Sequence, residues 1–288
     1  MWSQAELLRL MDVRPRTPGR YFGPAHGPTE RNVVEAGQLL GSAVVAAAKE
    51  VPHQRVVSAS MIFSRAAEHE ASMSVEVEVL RSGHTFSSAQ VRVHQHDSLC
   101  SAGIVLLDAD APDLIRSAVP MPEVDPPDRL RSHDQSGTVV AGRDIRVVDD
   151  AYTDDSDLIG PPELFVWTRF EDKPEYQYLH AALLTQSTTH WTVAAALRPH
   201  PHMTQSMAHR TISSGITMAT ITFHDEVDVT QWLLYSTRVT YAGHGHVQSE
   251  GRVHTEDGGL VASYAVHAMV RGLARPNIQG GNASGAVL

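Results

Sequence analysis

The stretch Trp232-Leu233-Leu234-Tyr235-Ser236-Thr237-Arg238-Val239-Thr240, followed by Gly245–His254 and Leu260–Val270, decides the fold. Rich in Val, Tyr and Thr, it predicts three consecutive strands on a pleated, half-buried surface. Gly243-His244 and Asp257-Gly258-Gly259 mark the two bends, where glycine supplies the positive φ that tight hairpins require.

The chain carries this pattern twice. Phe63 matches Phe223, and 223 − 63 = 160. Gly83-His84 matches Gly243-His244, Val93-His94 matches Val253-His254, and Asp97 matches Asp257, all at 160. Val45-Ala46-Ala47-Ala48 matches Val193-Ala194-Ala195-Ala196 at 193 − 45 = 148, so the second copy carries 160 − 148 = 12 extra residues between its alanine-rich segment and its first long strand. Matches in the same order at constant spacing predict two copies of one small domain, since the period is far too long for a solenoid.

The 288 residues suit two such domains, and 42% hydrophobic content supplies their cores. A net charge of −10 argues against nucleic acid as a partner. With one cysteine, Cys100, no intrachain disulfide forms, and a reducing, cytoplasmic location is expected. The N-terminus shows no signal-peptide pattern, and no apolar run approaches the ~20 residues of a membrane span.

In chain order, Gln4–Met11 has helical spacing. Asn32–Glu50 predicts a buried, alanine-rich helix ended by Pro52, and strands follow at Ser58–Ser64, Met73–Leu80, Thr85–His94 and Leu99–Leu107. Asp108–Asp157, rich in Pro, Asp and Ser, predicts a linker with a strand at Asp144–Val148. The second copy opens with a strand at Leu164–Trp167, then a helix over Tyr176–Leu197, the inserted passage His200–Ser213 and a strand at Ile216–Phe223. The divisions expected are an N-terminal unit over 1–108, a linker over 109–157, a C-terminal unit over 158–275 and a disordered tail over 276–288.

A buried helix followed by an antiparallel sheet wrapped round it, twice, is an α+β double hotdog. At this point the sequence resembles the acyl-CoA thioesterase II family. The resemblance is carried by Gly37-Gln38-Leu39-Leu40 leading into Ala46-Ala47-Ala48, by Glu78-Val79-Leu80-Arg81-Ser82-Gly83-His84-Thr85-Phe86 and by Ala196-Leu197-Arg198-Pro199-His200. Phe223-His224, Trp232-Leu233-Leu234-Tyr235 and Asp257-Gly258-Gly259-Leu260-Val261-Ala262-Ser263 extend it nearly to Arg271. It implies hydrolysis of a fatty acyl-CoA or other acyl thioester, without a cofactor, by a water held between an Asp on the second helix, a Thr or Ser on the following strand and a Gln on the last strand. Counting from Pro199, Phe223 and Arg271, those positions are Thr189, Ile216 and Val266. A one-residue bulge would bring Thr217 and His267 into the site instead. Without it, a shift of one residue turns a strand side chain to the opposite face.

The expected catalytic set is therefore Thr189, His190, Thr217 and His267, with Thr188, Ile216 and Val266 lining the substrate. For Thr188, Thr189 and His190, hydroxyls bonded back to the helix carbonyls beside a partly buried core histidine are the competing reading. Two other functions stay open: a catalytically silent acyl-thioester binder or partner subunit, and an enoyl-thioester hydratase or dehydratase using His224-Asp225 or His267. The pairs His94/His96, His200/His202 and His244/His246 lack the further ligands of a zinc pattern, so no metal is expected. No Gly-x-Ser-x-Gly elbow occurs. A homo-oligomer is expected.

Overall fold

Ser60 and Thr220 face each other across two antiparallel strands and join their hydroxyls at 2.9 Å. Since 220 − 60 = 160, the two residues are also each other's repeat equivalents, so an approximate two-fold axis passes through the pair. The flanking pairs obey the same symmetry: Ala59 opposes Ile221 and Met61 opposes Ala219, where 59 + 160 = 219 and 61 + 160 = 221.

The computed structural model describes residues 2–27, 32–69, 71–133 and 140–273. Its first half holds β1 (Trp2–Ser3), α1 (Gln4–Met11), β2 (Arg14–Thr17), β3 (Arg20–Gly23), α2 (Ala36–Glu50), β4 (Arg55–Phe63), β5 (Met73–Arg81), β6 (Phe86–Gln95) and β7 (Ser98–Asp108). The connecting passage supplies β8 (Val140–Ala141) and β9 (Arg143–Val147). Then come β10 (Glu163–Phe170), α3 (Gln177–Thr188), α4 (Thr192–Leu197), β11 (Ile212–Phe223), β12 (Leu233–Gly243), β13 (His246–Thr255) and β14 (Leu260–Gly272).

One sheet runs β2-β3-β5-β6-β7-β4-β11-β14-β13-β12-β10-β9, and β1 pairs separately with β8. The order β3-β5-β6-β7-β4 in one half is repeated outward from the seam as β11-β14-β13-β12-β10 in the other, as the symmetry requires. The seam joins two edge strands that would otherwise present unpaired backbone groups.

Each half folds its sheet over a helix. Every residue of α2 from Gly37 to Ala48 is buried, and β6 turns Ser87, Ala89, Val91 and Val93 inward. Small residues let helix meet helix closely: a Cβ on Gly41 would lie 3.1 Å from the Ala182 carbonyl oxygen and 3.5 Å from the Ala182 Cβ of α3.

Several boundaries differ from the sequence expectation. Helix α2 begins at Ala36, not Asn32, because the Val34 N–H donates to the Ala67 carbonyl, 2.7 Å away, and straps the preceding backbone to the loop after β4. The segment Tyr176–Leu197 is two helices, interrupted at Thr189–Trp191. At the β12–β13 hairpin the positive φ falls on His244 (52°) and Gly245 (76°) rather than on Gly243. The strand expected at Asp144–Val148 is β9, and it extends the C-terminal half of the sheet by pairing with β10. The tail from residue 276 lies outside the described residues.

Candidate active site

The interruption between α3 and α4 follows from local chemistry. Thr185 donates its hydroxyl to the Ala181 carbonyl (2.7 Å), Ser187 to Leu183 (3.3 Å), Thr188 to Thr185 (2.7 Å) and Thr189 to Gln186 (3.3 Å). Such back-bonding competes with the helix's own ladder and bends it. The Thr189 backbone (φ −89°, ψ −3°) then closes the first segment, and Trp191 (φ −98°, ψ −18°) opens the second.

The start of α2 is pressed against this break. A Cβ on Gly37 would fall inside contact distance of the Gln186 carbonyl oxygen, 2.7 Å from Thr189 Oγ1 and 2.9 Å from Gln186 Cα. Only glycine allows that approach. A helix start leaves its first backbone N–H groups without intrahelical partners, so α2 brings its electropositive end to the break.

Beside it lies a polar cluster drawn from three elements. Gln186 Nε2 donates to Glu35 Oε2 at 2.8 Å and lies 3.0 Å from His190 Nε2. Arg143 Nη1, from β9, donates to Gln186 Oε1 at 3.2 Å. That bond orients the amide, so its N–H groups face Glu35 and His190. Glu35 Oε2 is 3.6 Å from His190 Nε2, and both side chains are more than four-fifths buried. Burial works to raise the Glu35 pKa, but His190, Gln186 and Arg143 together hold it below the usual carboxylate value. Burial pulls the Arg143 guanidinium down, against the attraction of Glu35 and Tyr235. The Trp191 ring meets His190 edge-on at 5.6 Å, and its buried Nε1–H has no hydrogen-bond partner among the described residues.

The strands place the other expected residues differently. A register shift does occur between Ile216 and Met218, where β11 pairs with β14. It leaves Ile216 facing inward and Thr217 and Met218 outward, before inward alternation resumes at Ala219, Ile221 and Phe223. On β14, Tyr264, Val266 and Ala268 are buried against the helical layer, and His267 stands on the opposite, outer face. Thr217 Oγ1 donates to the His267 carbonyl at 3.3 Å on that outer side. The structure therefore brings Thr188, Thr189 and His190 together on the helical break and leaves Thr217 and His267 on the far side of the sheet. The bulge is present, but its extra residue is turned to solvent. Thr192 Oγ1, at the first position of α4, meets Ser249 Oγ at 2.8 Å on β13, next to Val266.

The pair His224-Asp225 is divided between other partners, His224 Nε2 lying 3.0 Å from Ser263 Oγ while Asp225 pairs with Arg116. At the opposite end of α2, a cavity of about 660 Å³ opens between Ala48, Tyr178, Ala181, Phe223 and Arg55. No three His, Cys, Asp or Glu side chains among the described residues converge as a metal site would require.

Glu35, Gln186 and Arg143 were not in the expected set. The available signal was a carboxylate just ahead of Ala36-Gly37, at the true start of the helix.

Comparison with known proteins bears on the chain as a whole. A family model for the acyl-CoA thioesterase N-terminal domain matches residues 25–107, and one for the acyl-CoA thioesterase C-terminal domain matches residues 117–270. Acyl-coenzyme A thioesterase 8 of Rattus norvegicus is 24% identical, over 91% of this chain and 88% of that protein. Its Homo sapiens counterpart is 25% identical, over 82% and 79%. Among solved structures, acyl-CoA thioesterase II TesB2 from Mycobacterium marinum superposes with a TM-score of 0.77 at 21% identity, covering 93% of this chain and 99% of that one. The tesB protein of Mycobacterium avium subs paratuberculosis gives 0.78 at 18% identity, covering 93% and 100%.

Proposed function

The chain belongs to the acyl-CoA thioesterase family, and from that premise we propose that it hydrolyses a fatty acyl-CoA, with water as nucleophile, where the start of α2 meets the α3–α4 break. One observation carries this reading: the glycine-tight approach of Gly37 to Thr189, beside the buried group of Glu35, Gln186 and His190. An unassisted water is a poor nucleophile and needs a polar group within hydrogen-bond reach. The developing oxyanion needs a donor, and backbone N–H groups at a helix start are suited to it, each worth ~3–4 kcal/mol in such sites.

In this reading Thr189 and His190 border the reacting water, Thr188 shapes the break, and Ile216 and Val266 give the acyl group an apolar wall. Exposed Ile62, Ile104, Leu106 and Met218 on the neighbouring strands β4, β7 and β11 support self-association through the outer sheet face. No described helix is long and apolar enough to cross a membrane. The single thiol, Cys100, buried in β7, suits a reducing compartment.

The test is release of free CoA thiol from acetyl-, octanoyl- and palmitoyl-CoA, alongside calorimetric binding. Turnover well above the buffer rate is expected for at least one chain length. Tight acyl-CoA binding without turnover would favour a silent binder, a reading that the aliphatic Ile216 and Val266 support where the resemblance implies a hydroxyl and an amide.

A further inference from the structure

We propose that Glu35, contributed by the N-terminal half, is the general base of this site, its carboxylate serving where the family resemblance implies an Asp and this chain has Thr189. The inference rests on the thioesterase reading above. The geometry carries it in three steps.

First, Glu35 sits at the N-cap of α2 in extended backbone (φ −62°, ψ 140°), and its side chain makes no capping hydrogen bond. It reaches across to α3 instead, which an ordinary capping role would not require. Second, the reach is held. The Arg143–Gln186 bond orients the amide, and the amide fixes one carboxylate oxygen, Oε2, at 2.8 Å. The other oxygen, Oε1, is the one to accept a proton from water. Third, the polar groups around the carboxylate favour its ionised form over the opposing effect of burial. The groups facing it are the imidazole of His190 and the guanidinium of Arg143, and with the amide of Gln186 they favour the charged form. Among the described residues, no lysine or second carboxylate is hydrogen-bonded or ion-paired to it.

The step balances as follows. Glu35 Oε1 takes a proton from the water while the water oxygen bonds to the thioester carbonyl carbon, and the C=O π pair moves to oxygen. The pair returns, the C–S bond breaks, and the departing thiolate takes the proton back from Glu35. The products are the carboxylic acid and CoA thiol. His190 and Gln186 are positioning residues here, acting through Glu35.

Glu35→Gln removes the base with little change of shape. Full-length wild type, Glu35→Gln and Glu35→Asp are compared for kcat on palmitoyl-CoA, its pH profile, and the Kd for a non-hydrolysable thioether analogue of palmitoyl-CoA. Glu35→Gln should lower kcat by roughly a hundredfold to ten-thousandfold, the scale of general-base loss, with Kd unchanged within threefold. The acid limb of the wild-type profile should lie below the ordinary Glu range of ~4.3 and disappear in Glu35→Gln. Glu35→Asp should keep that limb and part of the rate. If wild type turns over and Glu35→Gln matches it within threefold, Glu35 is not the base and the thioesterase reading stands. Loss of binding in step with rate makes Glu35 structural and overturns the assignment. If Glu35→Gln does not fold, a folded Glu35→Asp with the full wild-type kcat overturns it as well. A wild type without turnover on any chain length removes both the inference and its premise.

Discussion

Gly37→Ala is the sharpest test of how the two halves are joined. The added methyl would overlap the Gln186 backbone oxygen and lie 2.7 Å from Thr189 Oγ1 and 2.9 Å from Gln186 Cα. Two of those three atoms are backbone, so no rotamer change relieves the contact, and α2 must move away from α3. Overpacking a dense site costs about 1–3 kcal/mol. Alanine returns at most ~1 kcal/mol of helix propensity, and less so near the first turn. The net expectation is a loss of about 1–2 kcal/mol. At roughly 2–4 °C per kcal/mol for a chain of this size, Tm should fall by about 2–8 °C. The same displacement separates Glu35 from Gln186, so CoA thiol release should fall further than stability does. Gly215→Ala is the control: nothing lies within 4 Å of its added Cβ, and it should shift stability by no more than about 0.5 kcal/mol. Scanning calorimetry and a thiol-release assay on both variants decide the matter. A Gly37→Ala protein as stable and as active as Gly215→Ala would refute the close approach.

Two further outcomes follow from the same geometry. His267→Ala should leave CoA thiol release within twofold of wild type, because the ring stands on the outer face; a fall of a hundredfold would return His267 to the site. Asp228 is drawn to a pKa of about 2, burial opposing and the Thr230 hydroxyl, Lys173 and the Thr230 amide prevailing. Its folded pKa lies below the unfolded ~3.9, so its contribution is full above that value and is lost as pH falls toward about 2. Asp228→Asn should flatten the pH dependence of urea stability across that window, and an unchanged slope would count against it.

The repeat was legible because two copies constrain one another. Residues 160 apart predicted equivalent strands, and the Ser60–Thr220 pair shows those strands meeting on the axis. The alanine run predicted burial of α2 because small side chains are needed wherever a helix lies flat on a sheet and on a second helix. The site was less legible. Runs of Thr and Ser at 185–189 hinted at trouble in the second helix, but whether a hydroxyl bends a helix depends on which carbonyl it finds. The bulge beside Thr217 was legible as a possibility, yet its direction is set by which face the neighbouring strands bury. Glu35 escaped because its importance comes from Gln186, 151 residues away, and a contact between halves leaves no local spacing to read.

The axis through Ser60 and Thr220 also bears on how many ligands one chain would hold. A symmetric pair of hotdogs would offer two equal sites. Here the helical offset of 148 pairs Glu35 with Leu183 and His190 with Ser42, since 35 + 148 = 183 and 190 − 148 = 42. Both partners lie buried on helices, but one carries no charge and the other no ring. On the Glu35 reading, the duplication has kept two backbones and placed the carboxylate and the imidazole at one of the two equivalent places. Isothermal titration with the thioether analogue should give one equivalent bound per chain, whereas two equal sites would show that the second half has remained in use. On that reading the Leu183–Ser42 place, fully buried, serves packing alone, a division of labour that no homodimer of identical single hotdogs can make.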